Sequence, residues 1–186
     1  MESNRLTDII TRTFELQLPD CDTMDDYLDA VLQRISPYSE TLAEEDLFMD
    51  MRWLEVRDED TYRDAMLHIF RTGSEYLLAI DGNILKGNWR TLPDAGTFII
   101  EMGGRNELYD LAFLNEDFFV LRKHGDQQRK GLRKYFFMAR EERVQGLEWR
   151  DTMELLFNIY RGSSKFILYL ILGVTALAFF LYISFF

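Results

Sequence analysis

The residues of this sequence that could carry out chemistry are few and lie far apart. The histidines, His68 and His124, fall on different predicted strands, and neither has a cysteine or carboxylate at metal-ligand spacing. The single cysteine, Cys21, lies among acidic residues, with no histidine or basic residue nearby to activate its thiol. Neighbouring carboxylates such as Glu141 and Glu142 point in different directions, and the sequence has no nucleophile-elbow, phosphate-loop or dinucleotide-binding motif. We therefore predict no enzyme, no metal site and no cofactor, because catalysis would need a polar cluster that only folding assembles.

A basic cluster in the segment LRKHGDQQRKGLRK is the most concentrated polar feature. It contains Arg122, Lys123, Arg129, Lys130, Arg133 and Lys134. The simplest hypothesis is a solvated turn whose charges protect a sheet edge. Two alternatives stay open. One is contact with anionic lipid headgroups, to which each basic side chain contributes about 1 kcal/mol, and the other is contact with an acidic protein partner.

The remaining charge is predominantly negative and is concentrated towards the N-terminus. The chain has 186 residues and a net charge of -11, and its acidic residues are grouped in the segments PDCDTMDDYLDA and AEEDLFMD. A nucleic-acid-binding domain would instead present a basic surface to the phosphate backbone. We therefore expect no nucleic-acid partner.

Residues 166–186 form a long apolar segment, FILYLILGVTALAFFLYISFF, with no charged residue and no proline. About 20 apolar helical residues span the roughly 30 Å hydrocarbon core of a bilayer, so we predict a single transmembrane anchor. Positions along this anchor include Phe166, Leu170, Gly173, Phe180 and Phe186. Arg161 and Lys165 precede the segment. The positive-inside rule then places the N-terminal domain in the cytosol, at the inner membrane if the source is a bacterium.

Hydrophobic periodicity divides the chain into four parts. Residues 1–50 form an acidic segment with helical period, and residues 51–140 alternate like strands joined by short polar or glycine-containing turns. An amphipathic helix follows at 141–162, and the membrane anchor occupies 163–186. About eight strands with hairpin-length links predict an antiparallel meander that curls towards closure, which would remove its exposed edges. The predicted fold class is α+β, mainly an antiparallel barrel or half-barrel with helices before and after it.

Three features of the strand region have a recognisable arrangement. They are Trp53 on the first strand, the hairpin GSEYLLAIDGNILKGNWRTL with Trp89 on its second arm, and the paired strands in ELYDLAFLNEDFFVLRKH. With them, about residues 51–140 resemble the lipocalin-like small β-barrel domains, although Met51 and Arg52 stand where that family's Gly-x-Trp start would be. The resemblance implies a barrel that sometimes holds an apolar ligand, and it implies no enzymatic activity.

Strand alternation predicts which side chains line the barrel. They are Trp89, Tyr109, Leu111, Phe113, Phe119 and Leu121. The opposite faces of these strands are also apolar, so we expect the N-terminal helices to cover the outside of the sheet. An eight-stranded barrel can be filled by its own side chains or can hold one small ligand. The 15 phenylalanines of the chain favour a filled interior.

Two functions agree with these features. The leading hypothesis is a membrane-tethered, cytosol-facing interaction module, which is an adaptor or accessory subunit of a membrane complex and has a protein partner. The alternative is a binding protein that takes a lipid or another apolar ligand from the adjacent bilayer into the barrel. A cavity connected to solvent would favour the second function.

Overall fold

The computed structural model describes residues 21–59, 65–125 and 133–161, together with positions 173 and 175. Eight antiparallel strands close into a barrel in which each strand pairs with its neighbours in sequence and the first strand pairs with the last. The strands are β1 (Trp53–Glu55), β2 (Met66–Arg71), β3 (Glu75–Ile80), β4 (Asn83–Leu92), β5 (Thr97–Met102), β6 (Arg105–Leu114), β7 (Phe118–Lys123) and β8 (Tyr135–Arg140). The predicted antiparallel meander is confirmed, and of the barrel and the half-barrel it is the closed barrel that forms.

Tight turns explain why consecutive strands pair. The link between β3 and β4 is Asp81–Gly82, and the link between β5 and β6 is Gly103–Gly104; all four residues have positive φ. Two successive positive φ angles are typical of the hairpin turn whose twist matches that of the flanking strands. These two turns lie at the end of the barrel where odd-numbered strands finish, which we call the open end. The opposite end is called the sealed end.

Helices cover one outer side of the barrel, as the two-sided apolarity of the strands predicts. Helix α1 (Met24–Ile35) begins after Thr23, whose Oγ1 accepts a hydrogen bond from the backbone N–H of Asp26 at 3.2 Å. A short helix, α2 (Glu141–Val144), follows β8, and α3 (Trp149–Arg161) follows it. The apolar faces of α1 and α3 bury outward-facing side chains of the barrel, which are Phe113, Phe118, Val120, Phe137 and Ala139.

A β-bulge changes the predicted facing of one lining residue. The register between β6 and β7 shifts between Leu111 and Phe113. The extra residue breaks the two-residue alternation, so Phe113 packs outside the barrel against the helices, while Leu114 takes the inward position. The expectation that Phe113 lines the interior is therefore corrected.

Five aromatic side chains fill the sealed end, and we call them the aromatic plug. They are Phe48, Phe70, Trp89, Phe98 and Phe119. Phe48 comes from outside the barrel, after a 3-10 turn at Glu45–Leu47, and its ring centroid lies 5.4 Å from those of Trp89 and Phe119. The indole N–H of Trp53 donates a hydrogen bond to the Phe48 carbonyl at 3.0 Å. Residues before the first strand therefore form the floor of the barrel.

The predicted anchor falls mainly outside the residues that the structure describes. Phe166, Leu170, Phe180 and Phe186 lie outside them, and Gly173 is helical and exposed. Among the described residues, no helix has both the length and the apolar character needed to cross a membrane. Residues 1–20 of the predicted acidic helical segment also lie outside the described ranges.

Replacing Phe48 by Ala should lower the free energy of unfolding by about 3–5 kcal/mol, because it leaves a void among four aromatic rings. The measurement is chemical denaturation of the full chain. Leu92→Ala is the matched control, since the Leu92 side chain is half exposed and its loss should change stability by about 0.5 kcal/mol or less. Equal stability of the Phe48 and Leu92 variants would contradict the role of Phe48 as the floor.

Candidate functional site

The open end of the barrel contains a cavity of about 680 Å³ above the aromatic plug. This volume lies within the usual range of small-molecule sites. One part of its wall is apolar and comes mainly from β2 to β5. These apolar lining residues are Met66, Leu78, Leu85, Ile100, Met102 and Phe136. The rest of the wall carries a dense set of polar and charged side chains.

Glu55 is the centre of this polar set. It lies two residues after Trp53 on β1, so strand alternation points both side chains into the lumen, and its side chain is only 7% exposed. Arg57 binds it with two hydrogen bonds, Nε to Oε1 at 2.8 Å and Nη2 to Oε2 at 2.9 Å. Arg133 donates from Nη1 to Oε1 at 3.2 Å, and His68 Nε2 lies 3.2 Å from Oε2. Four donors therefore surround one buried carboxylate.

These contacts keep Glu55 ionised. Burial alone would raise the pKa of its carboxyl, but hydrogen bonds from His68 and Arg57, with electrostatic attraction to both residues, lower the pKa from 4.5 to about 2. An ionised carboxylate only accepts hydrogen bonds, so Nε2 of His68 is the donor in that contact. The other ring nitrogen, Nδ1, lies 2.6 Å from the hydroxyl oxygen of Tyr76. In the neutral imidazole, Nδ1 therefore accepts a hydrogen bond from Tyr76.

Two buried tyrosines present hydroxyl groups to the same cavity. Tyr76 is 2% exposed and Tyr109 is 3% exposed. Burial raises the pKa of Tyr76, and the nearby carboxylates of Glu55 and Glu107 raise it further. Burial also raises the pKa of Tyr109, as does the hydrogen bond that its hydroxyl donates to Glu107. Both hydroxyls stay protonated and act as fixed hydrogen-bonding groups.

The described members of the predicted basic cluster point in two directions. Lys123 and Arg133 line the cavity. Arg122 points outwards, with its Nη2 3.6 Å from Oδ2 of Asp110, and Lys134 forms an ion pair with Asp29 of α1. The other two members, Arg129 and Lys130, lie outside the described residues.

The predicted barrel-lining residues lie at different depths. Tyr109 borders the cavity. Trp89, Phe119 and Leu121 are buried inside the barrel, and Leu111 is partly buried against the same inner cluster. Of the predicted set, only Tyr109 is therefore in position to touch a molecule in the cavity.

The polar centre of the cavity was not identified from the sequence, although one signal for it was present. Glu55 and His68 belong to strands whose inward residues are otherwise large and apolar, such as Trp53 and Phe70. A carboxylate and an imidazole at inward positions need partners inside the barrel. Within the described parts of the chain, no group of three or more histidine, cysteine or acidic residues could hold a metal ion.

Comparisons with known proteins give no family for this chain. No protein-family model matches it, and neither the curated proteins nor the solved structures contain a match.

Replacing Glu55 by Gln should remove an acid-sensitive part of the stability. The pKa of Glu55 is lower in the folded than in the unfolded protein, so its contribution is complete above pH 4.5 and is lost as the pH falls towards 2. The pKa difference corresponds to about 3 kcal/mol. We expect the gap in unfolding free energy between wild type and Glu55→Gln to narrow over that pH range. Glu101→Gln removes a more exposed carboxylate paired with Arg90 and is the matched control. If the difference in unfolding free energy between wild type and Glu55→Gln did not change with pH, the lowered pKa of Glu55 would be contradicted.

Proposed function

We propose that this protein binds a small molecule in the open half of its barrel and that its C-terminal segment holds it at a membrane. The observation that carries the binding proposal is the solvent-connected cavity of about 680 Å³ above a closed aromatic floor. This geometry favours the binding function over the interaction module that was the leading hypothesis from sequence. The abundant phenylalanines fill one end of the lumen and leave the other end open.

The walls of the cavity have the composition of a binding site. Apolar side chains on β2 to β5 give a surface for the body of a ligand, and the hydroxyls of Tyr76 and Tyr109 give directional hydrogen bonds. Each of these hydroxyls is already held by a neighbouring side chain, His68 or Glu107. A ligand therefore meets groups that are largely fixed in place, and fewer side chains lose freedom on binding.

The resemblance to lipocalin-like domains supports the same proposal. A closed eight-stranded barrel has the architecture expected of that class, and such barrels are wide enough for one small ligand. Because one barrel architecture serves many functions, the resemblance supports carriage of a ligand in general terms only. The identity of the ligand has to come from the cavity walls.

Filling the cavity should abolish binding. In Ile100→Trp, a large ring would project into the space, whereas Ile84→Trp places the same ring on an exposed position outside the cavity. We expect the neutral fluorescent probe N-phenyl-1-naphthylamine to bind the wild-type chain and Ile84→Trp, and to bind Ile100→Trp about tenfold more weakly or not at all, a difference of about 1.4 kcal/mol or more.

The probe is measured on the full chain in lipid nanodiscs, with the signal of empty nanodiscs subtracted. Denaturation curves show whether Ile100→Trp is folded, and Leu78→Trp fills the same cavity from a different strand if it is not. Native mass spectrometry of the gently purified wild type detects any molecule that it retains. Absence of both a retained molecule and probe binding would contradict the proposed function.

Membrane attachment is proposed from the sequence of residues 166–186 and from the preceding Arg161 and Lys165. In sealed right-side-out vesicles, the N-terminal domain should resist added protease, and deletion of 166–186 should move the chain to the soluble fraction. Digestion of the domain in intact vesicles would contradict the topology.

An accessory subunit is a second candidate function, favoured by the exposed apolar side chain of Ile84 on β4, outside the cavity. To test this candidate, membranes that contain the wild-type chain are dissolved in mild detergent and the extract is fractionated. The wild type should then elute as a stoichiometric complex that Ile84→Ser disrupts. Recovery of the bare wild-type chain would count against it.

A further inference from the structure

Basic side chains at the open end are grouped on one side of the cavity. Arg105 begins β6, Lys123 ends β7, Arg133 precedes β8 and Arg57 follows β1. Because β6, β7, β8 and β1 are consecutive in the closed barrel, these four residues form a continuous basic arc. The fifth basic lining residue, Lys86, lies across the cavity on β4, where its Nζ is 3.3 Å from Oε1 of Glu75.

We propose that the ligand of this cavity is an organic monoanion, with an apolar body against β2 to β5 and a carboxylate or similar group bound by the basic arc. This inference rests on the proposed binding function and names the chemical class of its ligand. It follows from three properties of the arc, which are its charge balance, its burial and its remaining hydrogen-bond donors.

The carboxylates described beside the arc leave Arg105 without an ion pair. Glu55 and Glu107 are the acidic residues in the cavity wall, against the four cations of the arc. Glu59 is outside the wall, but its Oε1 lies 3.5 Å from Nε of Arg133, so it also offsets part of the charge. No described carboxylate forms an ion pair with Arg105, in a chain whose net charge is -11. A single bound carboxylate would neutralise the charge of Arg105.

Burial makes the charge of the arc energetically significant. The side chains of Arg57 and Arg133 are only 17% and 24% exposed. A charge that is largely removed from water is stabilised by a nearby opposite charge far more than an exposed one is. Glu55 supplies such a charge to both guanidinium groups. An anion that enters the cavity would add a second negative charge beside the arc.

Hydrogen-bond capacity points in the same direction. Glu55 receives four donors, which occupy its available lone pairs, whereas a guanidinium group has five N–H donors. Arg133 uses Nη1 on Glu55 and faces Glu59 with Nε, so the donors on Nη2 are available. Among the described residues, no side chain forms an ion pair with Arg105, which borders the same cavity. Glu55 thus orients Arg133 without using all of its donors.

The test compares two compounds with one carbon skeleton, 4-phenylbutyrate and 4-phenyl-1-butanol. Calorimetry uses the full chain in nanodiscs of phosphatidylcholine, which carry no net lipid charge. Charge-assisted hydrogen bonds should make the wild type bind 4-phenylbutyrate about tenfold more tightly or better. Arg105→Gln and Arg133→Gln should each reduce this preference, and Arg105→Lys should retain part of it. Arg90→Gln removes an exposed cation on the outside of β4 and should leave the preference intact.

The outcomes separate the two proposals. If both compounds bind equally and the arginine variants behave like the wild type, the ligand is not an anion, while the binding function stands. If neither compound binds the wild type although the neutral probe does, this inference fails and the binding function stands. If the wild type binds no probe and retains no molecule either, both proposals fail. Unfolding curves identify any variant that is not folded, and Arg105, being exposed, is the position at which substitution is least disruptive. Repeating the titration in phosphatidylglycerol nanodiscs identifies the source of the anion, because competition there means that a bilayer lipid supplies it.

Discussion

Closing eight strands into a barrel leaves a lumen that is just wide enough to be filled by side chains or to hold one small ligand. Both outcomes occur in this molecule, one at each end. Phe48 enters from outside the barrel and completes a buried aromatic floor, so side chains fill the lumen at this end. At the other end, the inward side chains do not meet across the lumen, and about 680 Å³ stays accessible. The position of one phenylalanine thus sets the depth of the site.

A buried carboxylate then determines the chemistry of the open half. Glu55 lies in the wall with little access to water, and burial of its charge would be unfavourable without the surrounding donors. Arg57, His68 and Arg133 come from three separate parts of the chain to meet it. The resulting network ties β1, β2 and the start of β8 together at the rim. The hydrogen-bond network of Glu55 therefore stabilises the rim and also determines the electrostatics of the cavity.

The sequence was most informative about features that depend on neighbouring residues. Strand alternation and the glycine-containing turns predicted the eight-stranded meander, and apolarity on both strand faces predicted helices outside it. Features that depend on distant contacts were not predictable. The bulge that turns Phe113 outwards is one extra residue in an otherwise regular strand. Arg133 meets Glu55 only when the barrel closes, because the two residues are 78 positions apart, and nothing in their local sequence indicates this contact.

The pairing of β1 with β8 also has a kinetic consequence. Its register joins Trp53 to Arg140, so the barrel cannot close until nearly the whole sheet is available. Contacts between such distant residues slow folding, because the chain must lose loop entropy before they form. Until then the side of β1 that pairs with β8 is exposed, and an exposed strand edge can pair with another chain and cause aggregation. At three residues it is the shortest strand of the sheet, and it therefore offers little backbone to another molecule while the chain is still folding.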